Sequence, residues 1–162
     1  MLSSLVLSLL LAAASQTGQV VAVHDGDTIT VRLDGHTEKI RLVGIDSPEL
    51  QDERTAYRDA GYAARNYARM RLGGEMVTLE TEPQQPDRDR YGRLLRYVIL
   101  DDGTNVNDEF VRKGYAHVYD KFKFSLKPRF KASEAEAKRE KLGVWNLPPG
   151  PWRDTATGHE RR

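Results

Sequence analysis

Val20-Val21-Ala22-Val23-His24-Asp25-Gly26-Asp27-Thr28-Ile29-Thr30-Val31-Arg32-Leu33-Asp34-Gly35-His36-Thr37-Glu38-Lys39-Ile40-Arg41-Leu42 is the stretch that decides the fold. Apolar residues recur there at every second position: Val21 and Val23, then Ile29, Val31 and Leu33, then Ile40, Leu42 and Gly44. Period two marks strands with one buried face. His24-Asp25-Gly26-Asp27 and Asp34-Gly35-His36 separate the runs, and each holds the Asp-Gly dipeptide that hairpin turns select. Three sequential antiparallel strands, a meander, are predicted, with Val21 and Val23 sharing one face of the first.

Outward from the meander, Pro48 removes a backbone donor and ends the third strand. A helix is predicted from about Glu53 to Leu72, with Tyr57, Ala60, Gly61, Ala64, Tyr67, Ala68 and Leu72 on one face and Gly73-Gly74 as its stop. Strands follow over Glu75 to Glu82 and Leu94 to Leu100, separated by the polar loop Pro83 to Arg90. Asn105 or Asn107 caps a short helix carrying Val106, Phe110 and Val111, ended by Gly114. A last helix is expected from about Lys131 to Leu142, with Ala132, Ala135 and Leu142 inward and Trp145 and Leu147 docking back. Five strands with a helix after the third and helices after the fifth predict an α+β protein: an OB-fold, a five-stranded small β-barrel with three helices.

The chain has 162 residues, with 39% hydrophobic and 30% charged, as expected for one soluble globular domain. Net charge is only +1, so any basic footprint must be local. The absence of cysteine excludes disulfides, thiolate metal sites and a cysteine nucleophile. At the N-terminus, Leu5 to Ala14 is apolar apart from Ser8 and ends in Ala12-Ala13-Ala14, a pattern suited to signal cleavage after Ala14. The run is short for a membrane span, and no Lys or Arg precedes it; an uncleaved anchor or a buried helix are the competing readings. Residues 1–14 are thus expected as a signal peptide, 15–147 as the domain, and 148–162 as a flexible tail. The mature protein is expected to be secreted or periplasmic, free of the membrane, and a monomer.

Four clusters carry charge or aromatic chemistry. Asp25-Gly26-Asp27-Thr28 is ordinary turn chemistry, and it fails as an EF-hand because the third acidic position holds Ile29. Arg41-Leu42-Val43-Gly44-Ile45-Asp46-Ser47-Pro48-Glu49 sends Arg41 to the face opposite Ile40 and Leu42, and places Asp46 and Glu49 at a strand end, where scaffolds mount sites. Glu49, Asp52 and Glu53 would also simply complement the dipole of the following helix. Asp87-Arg88-Asp89-Arg90-Tyr91-Gly92-Arg93 is either a solvated loop or a phosphate-binding one, since guanidinium forks match pairs of phosphate oxygens. Tyr115, His117 and Tyr119, followed by Lys121, Phe122, Lys123 and Phe124, interleave aromatics with lysines in a way that suits base stacking or a packed surface.

The succession of these blocks resembles the staphylococcal-nuclease (thermonuclease) family. It runs from Asp25-Gly26-Asp27-Thr28 through Arg41 to Glu49 and Asp89-Arg90-Tyr91-Gly92-Arg93-Leu94-Leu95. It continues through Val106 to Ala116, Ser133 to Lys138, and Leu142-Gly143-Val144-Trp145. The likeness covers about Gly18 to Trp145. It implies an endonuclease hydrolysing DNA and RNA, single-stranded or locally open, with Ca²⁺ at the barrel mouth. Asp27 and Asp46 match the metal-binding carboxylates, and Ser47 stands where the family usually uses the backbone carbonyl of Thr. Glu49 matches the proposed general base beside the metal's water, and Arg41 and Arg93 match the two phosphate-clamping arginines. Arg90 and Tyr91 match nucleotide-phosphate contacts, and Tyr119 is assigned as one of the aromatics that pack on the nucleotide. A catalytically inactive OB-fold that only binds nucleic acid is the main alternative. A structural calcium module would leave Arg41 and Arg93 without a role.

Overall fold

The computed structural model describes residues 15–148. The expected signal peptide and the expected tail after Pro148 lie outside the described residues. In chain order the elements are strands β1 (Ser15–Val23), β2 (Thr28–Leu33), β3 (His36–Leu42) and β4 (Ile45–Asp46), helix α1 (Thr55–Leu72), and strands β5 (Met76–Thr81) and β6 (Leu94–Ile99). Helix α2 (Val106–Arg112), strand β7 (His117–Val118), helix α3 (Lys127–Arg139) and a 3-10 turn (Gly143–Asn146) complete the domain.

Five strands close a barrel, as the meander and the two later strands predict, and their order is β1-β2-β3-β6-β5. Neighbours are antiparallel except β3 and β6, which run parallel with Ile40 opposite Leu94 and Leu42 opposite Arg96. The parallel pair arises because α1 and β5 intervene, returning the chain to the end from which β3 started. Val20, Ile29, Val31, Leu33, Ile40, Leu42, Val77, Leu79, Leu94 and Val98 are among the buried core. Truncating a fully buried aliphatic such as Ile40 to Ala would cost about 2–5 kcal/mol.

The first strand departs from its predicted phase. Val20 is buried while Val21 is 39% exposed, and the ladder with β2 shifts register between Val20 and Ala22. This bulge inserts one residue, so Val20 and Val23 both reach the core although three positions separate them. A simple period-two reading cannot register an extra residue.

Helix α1 starts at Thr55, two residues later than predicted, without a side-chain cap, and buries Tyr57, Gly61, Ala64, Ala68 and Leu72. Its stability therefore rests on packing that face. The side chain of Asn105 caps α2 by accepting from the Asp108 N–H at 3.1 Å. Helix α3 begins four residues before the predicted start, with Pro128 in its first turn, and ends at Arg139. It buries Phe130, Glu134 and Ala137, whereas Ala132 and Ala135 are exposed. Leaving Phe130 outside the helix misplaced the inward face, and Glu134 is inward because its Oε1 accepts the Val118 N–H at 2.9 Å. Trp145 and Leu147 dock as expected, packing with Ala137 and Val144.

Two connections hold the barrel mouth. The buried Asn107 donates to the carbonyls of Val43 (2.9 Å) and Arg96 (3.1 Å) and accepts from the Val98 N–H (3.0 Å), tying the end of β3 to β6. Strands β4 and β7 form a two-residue ladder, too short to read from sequence, that sets Asp46 opposite His117.

Candidate active site

The candidate site forms where the β1–β2 turn, the end of β3 and the loop entering β6 meet. Thr28 pairs with Arg41 across β2 and β3, which brings the turn acids beside the guanidinium. Arg41 Nε lies 3.3 Å from Asp27 Oδ1, and its Nη2 donates to Asp46 Oδ1 at 3.2 Å. Its Nη1 donates to the Leu42 carbonyl at 2.6 Å, which fixes the plane of the fork. Burial would lower the Arg41 pKa, but the negative charges of Asp27, Asp46 and Asp25 outweigh it and raise the value. Arg41 is therefore a permanent cation held between two carboxylates.

Asp27 and Asp46 are nearly inaccessible, at 6% and 9% exposure. Asp27 Oδ1 accepts from the Thr28 hydroxyl (3.0 Å), and its Oδ2 accepts from the Ser47 N–H (2.8 Å). Ser47 is buried, and its amide is thereby locked onto the first hairpin. On the far side, His117 Nε2 stands 3.7 Å from Asp46 Oδ2, an ion pair when the imidazole is protonated.

Arg93 enters from the loop before β6. Its Nη1 donates to the Thr28 hydroxyl at 3.3 Å, so one threonine touches both Asp27 and Arg93. Asp89 holds the arginine: Oδ2 accepts from Arg93 Nε (2.7 Å), while Oδ1 accepts from the backbone N–H of Tyr91 (2.9 Å) and of Arg93 (3.0 Å). Partial burial opposes ionisation of Asp89, but these donors win and lower its pKa. Tyr91 is 67% exposed and accepts from Arg90 Nη2 at 2.7 Å, and the guanidinium of Arg93 lies 5.4 Å from its ring centre. Tyr119 is half-buried, and its N–H donates to the Gly44 carbonyl (2.9 Å).

Glu49 is exposed, and the turn that carries it is held by its backbone. A Cβ on Gly61 of α1 would come within 2.8 Å of the Pro48 carbonyl and 2.9 Å of the Glu49 carbonyl. A Cβ on Gly26 would come within 2.7 Å of Ser47 Cβ and 2.8 Å of Ala64 Cβ. Small residues on α1 thus let the helix seat directly against both acid-bearing loops, so glycine serves here for close approach.

Of the residues singled out from sequence, Asp27, Arg41, Asp46, Ser47 and Arg93 converge through hydrogen bonds and ion pairs, with Arg90 and Tyr91 on the adjoining loop and Tyr119 hydrogen-bonded to Gly44. Asp25 reads as turn chemistry in the sequence. It accepts from the Asp27 N–H at 2.9 Å, and burial followed by the charge of Asp27 pushes its pKa up to about 6. Asp89 reads there as one charge in a loop, although the i,i+4 spacing to Arg93 is a usable signal.

Among the described residues no three carboxylate or imidazole groups form a closed metal cage. The convergent donors are the carboxylates of Asp27 and Asp46, hard oxygens that already hold a cation in Arg41. That donor chemistry fits Ca²⁺ or Mg²⁺ and is unsuited to soft metals.

A closed OB-like barrel with acids and arginines at its mouth defines a class of small α+β proteins able to hold phosphate. The profile described as staphylococcal nuclease homologue matches residues 39–147. The chain is 37% identical over 140 residues to an uncharacterized endonuclease of Escherichia coli O157:H7, covering 84% of each chain. It is 32% identical over 136 residues to the thermonuclease of Staphylococcus hyicus, spanning 83% of this chain and 78% of that one. It is also 32% identical over 152 residues to a micrococcal nuclease of Shigella flexneri, spanning 88% and 82%. The chain belongs to the staphylococcal nuclease family.

Proposed function

We propose that the protein is a secreted, calcium-dependent nuclease that hydrolyses phosphodiester bonds in DNA and RNA. The observation that carries this reading is the Arg41 guanidinium held between Asp27 and Asp46, with Arg93 reaching the same hairpin through Thr28. A binding fold has little use for two buried acids, but an anionic substrate being attacked by water needs local positive charge and a proton acceptor.

In this reading Asp27, Asp46 and the Ser47 carbonyl hold Ca²⁺. The ion would place positive charge beside a phosphate oxygen and lower the cost of bringing water to an anion. Arg41 and Arg93 donate to phosphate oxygens as charge builds, and both are oriented beforehand, by Leu42 and by Asp89. Preorganised donors of this kind are worth about 3–4 kcal/mol each. Glu49 accepts the proton of the attacking water. Arg90 and Tyr91 contact the nucleotide phosphate and Tyr119 packs on the nucleotide, which favours single-stranded or locally open substrate. The run Leu5 to Ala14 supports export, and the mature protein in this reading is a monomer free of the membrane. Among the described residues no helix is long and apolar enough to cross a membrane.

The test is cleavage of single-stranded DNA by the purified protein with calcium and with excess chelator. Calcium-dependent cleavage is expected; binding without cleavage would identify an inactive nucleic-acid-binding OB domain instead. Glu49→Gln should lower the rate by about 10²–10⁴-fold with an unchanged melting temperature. For export, N-terminal sequencing of protein from the medium or periplasm should begin at Ser15; a retained Met1 would refute cleavage.

A further inference from the structure

Helix α1 carries four arginines against one aspartate, in a chain whose net charge is only +1. Arg58, Arg65 and Arg69 follow one another at spacings of seven and four residues, and Tyr62 lies between the first two. At 3.6 residues per turn these positions fall within an arc of roughly 40° for the arginines. Arg69 is exposed, Arg58 and Arg65 partly so, and Tyr62 is 41% exposed. The Arg65 guanidinium lies 4.8 Å from the Tyr62 ring centre.

Surface arginines elsewhere in the fold are mostly neutralised. Arg54, Arg71, Arg88, Arg93, Arg129 and Arg139 each reach a carboxylate. Arg58, Arg65 and Arg69 make no ion pair among the described residues. The one side-chain hydrogen bond in the row runs from Arg58 Nη2 to the Thr55 hydroxyl, and it is long at 3.5 Å. A row of unneutralised cations repels itself, so a helix that only needed solubility would gain by interleaving acids at i,i+4.

The row also has a direction. Gly61 stands three residues after Arg58 and four before Arg65, and it is the point where α1 touches the backbone of Pro48 and Glu49. Arg58 and Arg65 therefore bracket the point where α1 meets the turn that carries Glu49, and Arg69 stands one turn further along the helix. Arg58 to Arg69 spans about 16 Å of helix. One strand of a duplex presents a phosphate per about 3.4 Å of rise, so each arginine can meet its own phosphate.

We infer that Arg58, Arg65 and Arg69 form a second contact surface for the sugar–phosphate backbone of a long nucleic-acid strand, flanking the scissile bond. The inference rests on the nuclease reading for the substrate class. It deepens that reading by giving the enzyme a grip on polymer that a dinucleotide cannot use. Because the contacts are to phosphate alone, they add affinity and salt dependence without base preference.

The experiment compares wild type with Arg58→Gln/Arg65→Gln/Arg69→Gln. Binding to a single-stranded DNA of about thirty nucleotides is titrated in excess chelator over a salt series, and cleavage of that DNA and of a dinucleotide is measured in calcium. The slope of log K against log salt should shrink by about 2, at about 0.7 per lost contact on a single strand. KM for the long strand should rise with kcat held, and kcat/KM for the dinucleotide should stay unchanged. The triple Lys variant should recover the slope, and Arg112→Gln, an exposed arginine on α2, should leave it at the wild-type value. An unchanged slope, an equal loss on both substrates, or an equal shift with Arg112→Gln overturns the inference. If the triple variant loses its fold by circular dichroism, Arg69→Gln alone should still lower the slope by about 0.7. Wild type that binds with the expected slope but never cleaves would refute the nuclease reading and leave the surface standing.

Discussion

The backbone N–H of Ser47 donates to Asp27 Oδ2 at 2.8 Å, joining the end of β4 to the β1–β2 hairpin across twenty residues of chain. One carboxylate thus has two duties, since its other oxygen faces Thr28 and Arg41. Asp27→Ala should destabilise the fold by about 1–3 kcal/mol by leaving a buried amide unpaired. Asp27→Asn keeps an acceptor for the Ser47 amide and should destabilise less than Asp27→Ala, while losing the charge that cleavage needs. Urea unfolding alongside the cleavage assay separates the two effects; equal stability losses would contradict this division.

Asp89 positions Arg93 and two backbone amides, and it faces no phosphate in the proposed reaction. Asp89→Ala should cost about 10²-fold in kcat/KM, the scale of misplacing one group by about an ångström. Far-ultraviolet circular dichroism should remain that of wild type. Full activity in this variant would mean that the loop holds Arg93 without it.

Gly61→Ala would bring a methyl group within 2.8 Å of the Pro48 carbonyl, a separation that real Cβ contacts do not show. Either α1 or the Glu49 turn must shift. The expected cost is about 1–3 kcal/mol, with a fall in kcat because Glu49 rides on the displaced backbone. A variant that loses stability but keeps kcat would show that the helix yields and the turn does not.

Glu82 gives a pH prediction away from the site. Burial opposes its ionisation, yet the Tyr97 hydroxyl (2.6 Å), the Ser125 N–H (2.8 Å), the Gln84 N–H (2.8 Å) and the Ser125 hydroxyl (2.9 Å) all donate to it and lower its pKa from 4.5. A depressed carboxyl contributes stability in full above its unfolded pKa and loses it as pH falls through the folded value. Wild type should therefore lose this contribution below about pH 4.5. Glu82→Gln should be less stable at neutral pH and lose less on acidification between pH 5 and 3, as read by melting temperature against pH. Parallel curves for the two proteins would refute the assignment.

The barrel was legible because Ile29, Val31, Leu33, Ile40 and Leu42 repeat a period that only a half-buried strand needs, and because Asp-Gly marks the turns. What escaped was the Val21 bulge, the two-residue ladder of β4 with β7, and the start of α3 at Lys127. Each depends on partners far away in sequence, with no local pattern of its own. The site divides in the same way. Asp27, Arg41, Asp46 and Arg93 were legible from the order of their blocks along the chain. The capture of Asp27 by the Ser47 amide was not, and neither was the hold of Asp89 on Arg93.

By itself the sequence determined the three-stranded meander, the two later strands, the helix after β3 and the residue types at the mouth, because periodicity, turn chemistry and spacing are local properties of a chain. Only the tertiary structure decided that Arg41 is shared between two acids, that Gly26 and Gly61 let α1 press on both acid-bearing loops, and that three arginines on that helix make no ion pair among the described residues. Those facts are distances between elements, and distances are set by packing once the chain has closed on itself.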